Sequence, residues 1–140
     1  MITTKQPVSP TTVISVGEGD YWKNLLVPSL QQLEAEGIVH HLASIDIHQQ
    51  QPRDDGLEHL LRQENQPLSD LLAKFKLQKP VIVLGHANDW HTRDTVDLVE
   101  HGFPVVIEKP YCLNLSELGA LNSSLNDDSA KVAVSEYYLM

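Results

Sequence analysis

The apolar positions of the chain change period several times, and each change falls at a glycine, a proline, an asparagine or an aspartate. Short runs rich in Val and Ile predict strands that are buried on both faces. Longer segments with apolar residues three and four apart predict helices. The predicted strands are residues 12–16, 41–47, 81–84, 103–107 and 131–134. The predicted helical segments are residues 21–36, 57–61, 68–75 and 115–125, the last beginning near Asn114 or Ser116.

One further helix should follow the strand at 81–84, with Asn88 or Asp89 as its cap and its end at His101-Gly102. Gly37 stands where the first helix should stop, and Pro28 inside that helix predicts a kink or a late start. Strands and helices therefore alternate along the chain. This alternation demands parallel pairing, so we expect an open α/β sheet with helices on both faces.

The amino-acid composition excludes several classes of protein. The 140 residues fit one domain, and 10 Lys+Arg against 19 Asp+Glu give a net charge of −9. A chain this acidic is repelled by phosphate backbones and anionic lipid, so neither nucleic acid nor a membrane is an expected partner. No signal peptide or apolar stretch of spanning length is present. The single cysteine, Cys112, excludes an internal disulfide framework, and we expect a cytoplasmic protein.

The first candidate site is a glycine loop between the first strand and the first helix. A dinucleotide-binding loop needs glycine at its tight turn and again where the backbone approaches the pyrophosphate, and Gly17 and Gly19 supply both. Trp22 replaces the third glycine of the pattern, and Glu18 places a carboxylate near the expected pyrophosphate unless it points to water. An ordinary strand-to-helix turn, which also favours glycine, would explain the two glycines equally well.

An acidic residue at the end of the second strand supports the dinucleotide hypothesis. Asp46 lies 29 residues after Gly17, where a carboxylate can accept hydrogen bonds from the adenosine ribose hydroxyls. Its charge would repel a 2′-phosphate, and no Arg or Lys follows before Arg53. The sequence therefore favours NAD over NADP. The alternative is an ordinary surface aspartate at a strand end.

Two sequence blocks carry the most specific signal. They are VIVLGHANDWH (81–91) and VEHGFPVVIEKPYCLNLSEL (99–118), and each contains a strand end at the ligand-binding edge of an α/β sheet. With these blocks the chain resembles the N-terminal Rossmann domain of the glucose–fructose oxidoreductase, inositol dehydrogenase and MocA family of NAD(P)-dependent oxidoreductases. The resemblance runs from about Val13 to Val134.

The resemblance implies roles for the Glu-Lys-Pro sequence after the fourth predicted strand. Lys109 corresponds to the lysine beside the nicotinamide and the substrate, and it is the expected catalytic residue. Glu108 would contact the nicotinamide ribose or hold the loop, and Pro110 would fix the backbone. The alternative, a charged turn before a helix, has little weight beside the surrounding match.

The resemblance also covers the loop after the third predicted strand. Asn88 and His91 match the family's positions that line the cofactor cleft, whereas His86 and Ala87 replace the family's Thr and Pro. The loop could therefore hold the cofactor differently. The spacing of the seven histidines does not suit a metal site, so we expect no metal.

Residues 1–11 are expected to be a flexible N-terminal segment and residues 12–140 a dinucleotide-binding Rossmann domain. The family's second, substrate-binding domain normally follows the strand at 132–134, so its absence is expected here, together with a homo-oligomer or a separate substrate-domain partner. The expected function is hydride transfer between nicotinamide and a hydroxyl or carbonyl carbon of a sugar- or polyol-like substrate. The alternative is a non-catalytic nucleotide-binding or protein-interaction domain. A flavodoxin-like signalling domain would leave the Glu-Lys-Pro sequence unexplained.

Overall fold

A computed structural model describes residues 9–19, 22–47, 56–86, 90–108, 113–125 and 131–135. Within these ranges six strands form one sheet in which every pairing is parallel. The strands are β1 (Thr11–Val16), β2 (Val39–Asp46), β3 (Glu58–Leu61), β4 (Val81–Leu84), β5 (Val105–Glu108) and β6 (Val132–Ser135). The parallel α/β class predicted from the alternating pattern is confirmed.

Helices connect most of these strands. A π-helical segment (Trp22–Leu26) leads into α1 (Val27–Ala35), and α2 (Leu68–Leu72) continues as a 3-10 helix (Ala73–Gln78). They are followed by α3 (His91–Glu100) and α4 (Leu115–Ser124). Pro28 lies in the first turn of α1, and the π-helical segment before it makes the helical region begin at Trp22, so this region does not start late. Asn114 caps α4 by accepting a hydrogen bond from the Glu117 amide, 2.9 Å long.

One predicted element is wrong. The segment 57–61 was expected to be helical, but Glu58–Leu61 forms β3 at the edge of the sheet. Its residues pair with β2 in the register Ala43–Glu58 to Asp46–Leu61. Four residues cannot show a period clearly, and pairing with β2 decides their conformation.

The strand order is β3-β2-β1-β4-β5-β6. The chain therefore builds one half of the sheet outward from β1 and returns to the other side of β1 to build the second half. Ligands of open α/β sheets bind beyond the carboxyl ends of the strands where this order reverses, which here is between β1 and β4. The order also differs from that of a flavodoxin-like sheet, which excludes that alternative.

The two faces of the sheet are covered by different helices. Val13 packs with Leu26 and Leu30 of the first helical segment, whereas Ile14 belongs to a larger core that includes Leu98 of α3. Successive residues of a strand point to opposite faces, so the helices lie on both faces as predicted. None of the helices in the described ranges has the length and apolar character that a membrane crossing requires.

Candidate functional site

A cavity of about 320 Å³ opens at the carboxyl edge of the sheet, where the strand order reverses. Its walls come from the loop after β1, the end of β2, the residue after β3 and the loop after β4. The lining residues are Val16, Gly17, Glu18, Gly19, Ile45, Asp46, Ile47, Arg62, Gly85, His86 and Trp90. Three of the residues that the sequence assigned to a dinucleotide site, Gly17, Gly19 and Asp46, are therefore brought together.

Gly17 is required by the fold of the two loops that meet at this edge. Its φ is +94°, a conformation that residues with a side chain rarely adopt. A Cβ at this position would lie 2.8 Å from the backbone N and Cα of His86. The Gly17 amide also donates to the Ile45 carbonyl, 2.7 Å away. Gly17 therefore lets the loop after β1 touch the loop after β4.

Gly19 differs from Gly17 both in its backbone conformation and in the space around it. Its φ is not in the left-handed region, and apart from its two chain neighbours no atom of the described residues lies within 4 Å of the position that a Cβ would occupy. Neither backbone strain nor crowding among the described residues accounts for a glycine here. The absence of a side chain keeps the cavity open, and this is what close approach of a ligand to the backbone requires.

Glu18, between these glycines, is only 4% exposed and does not point to water. Its Oε1 accepts a hydrogen bond from Nδ1 of His59 on β3, 2.6 Å away. The carboxylate thus reaches from the loop after β1 to β3, past the end of β2. This contact holds the glycine loop against the sheet and compensates the buried charge.

Asp46 is the last residue of β2 and is half-buried at the wall of the cavity. Its Oδ1 accepts a hydrogen bond from the Ile47 amide, 2.7 Å long, which fixes the orientation of the carboxylate. The position matches the one from which an acidic residue contacts the adenosine ribose in dinucleotide-binding folds.

Arg62 is a lining residue that the sequence reasoning missed. Its amide donates to the Asp46 carbonyl at 2.7 Å, so it follows β3 directly beside Asp46. Its guanidinium is almost completely buried and donates to both oxygens of Asp94 in α3, at 2.8 and 2.7 Å. Its Nε donates to the Gln66 carbonyl at 2.9 Å, and the guanidinium lies 5.0 Å from the centre of the Trp90 ring. Each of its three nitrogens is thus engaged within the protein.

Asp94 accepts three hydrogen bonds beneath the cavity. Besides the two from Arg62, it accepts one from Nε2 of His86, 2.5 Å away. Burial by itself would raise the pKa of Asp94, but the hydrogen bonds from His86 and Arg62 and the Arg62 charge lower it below the ordinary value of 3.8. Asp94 is therefore a carboxylate at neutral pH.

His86 and His91 lie together, but only His86 lines the cavity. Their rings stack with centres 5.2 Å apart, and Nε2 of the fully buried His91 donates to the His86 carbonyl at 2.9 Å. His91, which the resemblance placed in the cofactor cleft, thus contacts the loop behind it. Among the described residues, Nδ1 of His86 has no hydrogen-bond partner although the atom is buried.

The remaining predicted residues are only partly covered by the structure. Glu108 ends β5 at the same carboxyl edge and is half-buried. Asn88, Lys109, Pro110 and Cys112 lie outside the described residues. Within the described ranges no group of three or more His, Cys, Asp or Glu residues has an arrangement that could hold a metal ion.

No protein-family model and no curated protein matches the sequence. Solved structures do match. The WlbA dehydrogenase from Chromobacterium violaceum, in complex with NADH and UDP-GlcNAcA, matches over 96% of this chain with 17% identity and a TM-score of 0.73. The D-galactose-1-dehydrogenase from Rhizobium etli matches over 92% with 17% identity and a TM-score of 0.70. A Gfo/Idh/MocA family oxidoreductase from Vibrio cholerae matches over 89% with 16% identity and a TM-score of 0.67.

The chain has the Rossmann fold of these oxidoreductases. The resemblance on which the sequence analysis relied is therefore confirmed at the level of the fold. The match covers 38% of the length of each of the three proteins, so this chain corresponds to one part of them. In this Rossmann sheet the cavity lies at the edge where the fold places its ligands.

Proposed function

We propose that this chain binds NAD and belongs to the Gfo/Idh/MocA oxidoreductases, as the dinucleotide-binding part of an enzyme that acts on a sugar- or polyol-like substrate. The observation that carries the proposal is the cavity between β1 and β4, with Gly17, Gly19 and Asp46 in its walls. Structural similarity to a dehydrogenase in complex with NADH and to a D-galactose-1-dehydrogenase supports it.

The residues at the cavity suit a dinucleotide. The open position beside Gly19 leaves room for a pyrophosphate to approach the backbone. Among the described residues, the helical segment that begins at Trp22 carries no acidic residue in its first turn. Asp46 would accept hydrogen bonds from the adenosine ribose at the other end of the cavity.

The same residues favour NAD over NADP. A 2′-phosphate beside Asp46 would meet a carboxylate, and its recognition normally requires a nearby arginine. Arg62 is beside Asp46, but both terminal nitrogens of its guanidinium bind Asp94. Turning the guanidinium toward a 2′-phosphate would leave Asp94 buried without its main partner, which is costly.

The chemistry would take place where β4 and β5 end. The nicotinamide, when bound, accepts or supplies the hydride. Lys109 directly follows β5, and in the proposed role its ammonium group donates to the substrate oxygen and stabilises negative charge that develops there. Glu108, Pro110 and Asn88 would hold the cofactor at this end. The expected self-association, or contact with a separate substrate-domain partner, stays a prediction.

Titration of the purified chain with NADH and with NADPH tests the proposal. Binding can be followed by the fluorescence of the reduced nicotinamide and by calorimetry. We expect saturable NADH binding with a lower Kd than that for NADPH. Absence of binding at millimolar NADH would contradict the proposal.

A second candidate function is a nucleotide-binding or protein-interaction domain that does not catalyse a reaction. The observation that favours it is Glu18, a buried carboxylate between the two glycines of the loop. If this candidate is correct, AMP or ADP will bind as tightly as NADH, because the nicotinamide half then makes no contact. An NADH affinity clearly above that of ADP supports the oxidoreductase.

A further inference from the structure

The cavity poses an electrostatic problem for any dinucleotide. A pyrophosphate carries negative charge, yet the chain has a net charge of −9, and the walls of the cavity include the carboxylates of Glu18 and Asp46. Among the described lining residues the only lysine or arginine is Arg62, whose charge is compensated by Asp94 at 2.7 Å. Beside the backbone amides of the glycine loop, a hydrogen-bond donor on another lining side chain would help to hold the phosphates.

His86 is the lining residue that can supply it. Its backbone meets the glycine loop so closely that a Cβ on Gly17 would lie 2.8 Å from its Cα. It is therefore next to the place where the pyrophosphate is expected. Its Nδ1 is buried and has no partner among the described residues, a situation that is unfavourable for a polar atom unless a ligand or a water completes it.

The orientation of the His86 ring is fixed from three directions. Nε2 donates to Asp94 at 2.5 Å, and Asp94 is held in turn by Arg62. The ring stacks on His91, and Nε2 of His91 donates to the backbone carbonyl of His86 itself. With Nε2 engaged as a donor, Nδ1 is the atom left to bind a ligand. Such support by surrounding residues is typical of binding groups that must be held in place.

We propose that His86 is a phosphate-binding residue of this cavity and that its Nδ1 donates a hydrogen bond to the pyrophosphate of the dinucleotide. The inference rests on the proposed function and adds to it a residue that the sequence analysis did not assign to the site. In the complex both ring nitrogens of His86 would donate hydrogen bonds, Nε2 to Asp94 and Nδ1 to a phosphate oxygen.

The charges around His86 are consistent with this role. Arg62 and Asp94 neutralise each other, and His59 faces Glu18 at 2.6 Å. The titratable and charged groups around it in the described residues are Asp94 and His91 of α3, Arg62 after β3, Glu18 of the glycine loop and Asp46 at the end of β2.

Two substitutions separate the nitrogens of His86. His86→Gln keeps an amide N–H that can donate to Asp94 from the Nε2 position but removes the group at Nδ1. His86→Asn keeps an amide near Nδ1 but withdraws from Asp94. His40→Gln is the control, because His40 is an exposed histidine at the start of β2, away from the cavity.

NADH and inorganic pyrophosphate are titrated calorimetrically into the full chain. We expect wild type and His40→Gln to bind each ligand with the same affinity. His86→Gln should bind both ligands about ten- to a hundredfold more weakly. His86→Asn should retain more affinity than His86→Gln, because its amide lies near the Nδ1 position. Thermal melting checks that each variant is folded, and His86→Asn carries the test if His86→Gln is not.

The outcomes separate this inference from the proposed function. Wild-type NADH binding that His86→Gln leaves unchanged would overturn the role of His86 while the proposed function stands. Loss of pyrophosphate affinity in His86→Gln without any wild-type NADH binding would support His86 as a phosphate-binding residue and contradict the proposed function. Failure of wild type to bind either ligand would overturn both.

Discussion

Arg62 and Asp94 form a bidentate ion pair, with bonds of 2.8 and 2.7 Å, between the residue after β3 and the first turn of α3. Both side chains are at least 98% buried. The pair therefore links the edge of one half of the sheet to a helix of the other half, directly beneath the cavity.

Removing one partner of this pair should be strongly destabilising. Arg62→Met leaves Asp94 buried with His86 as its remaining hydrogen-bond partner, and we expect a loss of about 3–5 kcal/mol in the free energy of unfolding. The double variant Arg62→Met/Asp94→Leu should recover a large part of this loss, because no buried charge is left unpaired. Urea denaturation measures both. A loss below about 1 kcal/mol in Arg62→Met would show that the pair behaves like an exposed one.

The lowered pKa of Asp94 predicts how stability depends on pH. The folded protein binds this proton less readily than the unfolded chain, whose ordinary value is 3.8. The stability that the carboxylate contributes is therefore present above that value and is lost as the pH falls through the lower pKa of the folded state. The gap in urea midpoint between wild type and Asp94→Asn should be wide at neutral pH and narrow below about pH 4. A gap that stays constant into acid would contradict this assignment.

The two glycines of the loop should respond differently to the same substitution. Gly17→Ala introduces a Cβ 2.8 Å from His86 backbone atoms at a φ of +94°, so it should cost about 2–4 kcal/mol of stability. Gly19→Ala brings its new methyl group within 4 Å of none of the described residues beyond its chain neighbours, and it should change stability by less than about 0.5 kcal/mol. It should nevertheless weaken NADH binding, since the new methyl group occupies space beside the loop. Denaturation and NADH titration of both variants check this, and unchanged NADH affinity in Gly19→Ala would argue against a ligand at this loop.

Asp46 should determine the choice between the two dinucleotides. Asp46→Ala removes a charged hydrogen-bond acceptor, and we expect NADH affinity to fall about ten- to a hundredfold. NADPH affinity should fall less, because repulsion of its 2′-phosphate is removed at the same time. Glu64→Ala is a control with the same change in charge at an exposed residue near the end of β3. Equal NADH affinity in Asp46→Ala and wild type would remove Asp46 from the site.

Removal of the Glu18 charge should raise the affinity for NADH and lower the stability of the folded protein. Glu18→Gln keeps the size of the side chain but removes a negative charge from the cavity wall, so NADH should bind several-fold more tightly at low salt, and the gain should shrink at high salt. The free energy of unfolding should fall by about 1 kcal/mol or more, because the hydrogen bond with His59 loses its charge. Weaker NADH binding in a folded Glu18→Gln variant would indicate that the carboxylate positions the loop.

Local pattern predicted most elements of the fold. The runs around Ile14, Ile82 and Ile107 are apolar on both faces, and this pattern is typical of the interior strands of a parallel sheet. Asn114 gave correct information about the start of α4 because the effect of a cap is local. β3 was missed because its four residues alternate too briefly for a period to show, and because its place at the edge depends on β2.

The sequence located the glycine loop and Asp46 but not the network beneath them. Arg62 and Asp94 are 32 positions apart, and Glu18 and His59 are 41 apart, so neither pair leaves a local signal. The sequence analysis considered only whether the Glu18 carboxylate would lie near the pyrophosphate or point to water, and not a partner within the protein. A partner on β3 could not be anticipated while that segment was interpreted as a helix.

The order of the strands has a consequence for the kinetics of folding. The two halves of the sheet meet along β1 and β4, paired from Val13–Val81 to Val16–Leu84, residues 68 positions apart in the chain. Such distant parallel pairing forms slowly, because a long loop must close before its contacts stabilise it. The cavity has walls from both halves, so it cannot exist in an intermediate that has only one of them. Recovery of ligand binding during refolding should therefore coincide with the slowest phase of folding.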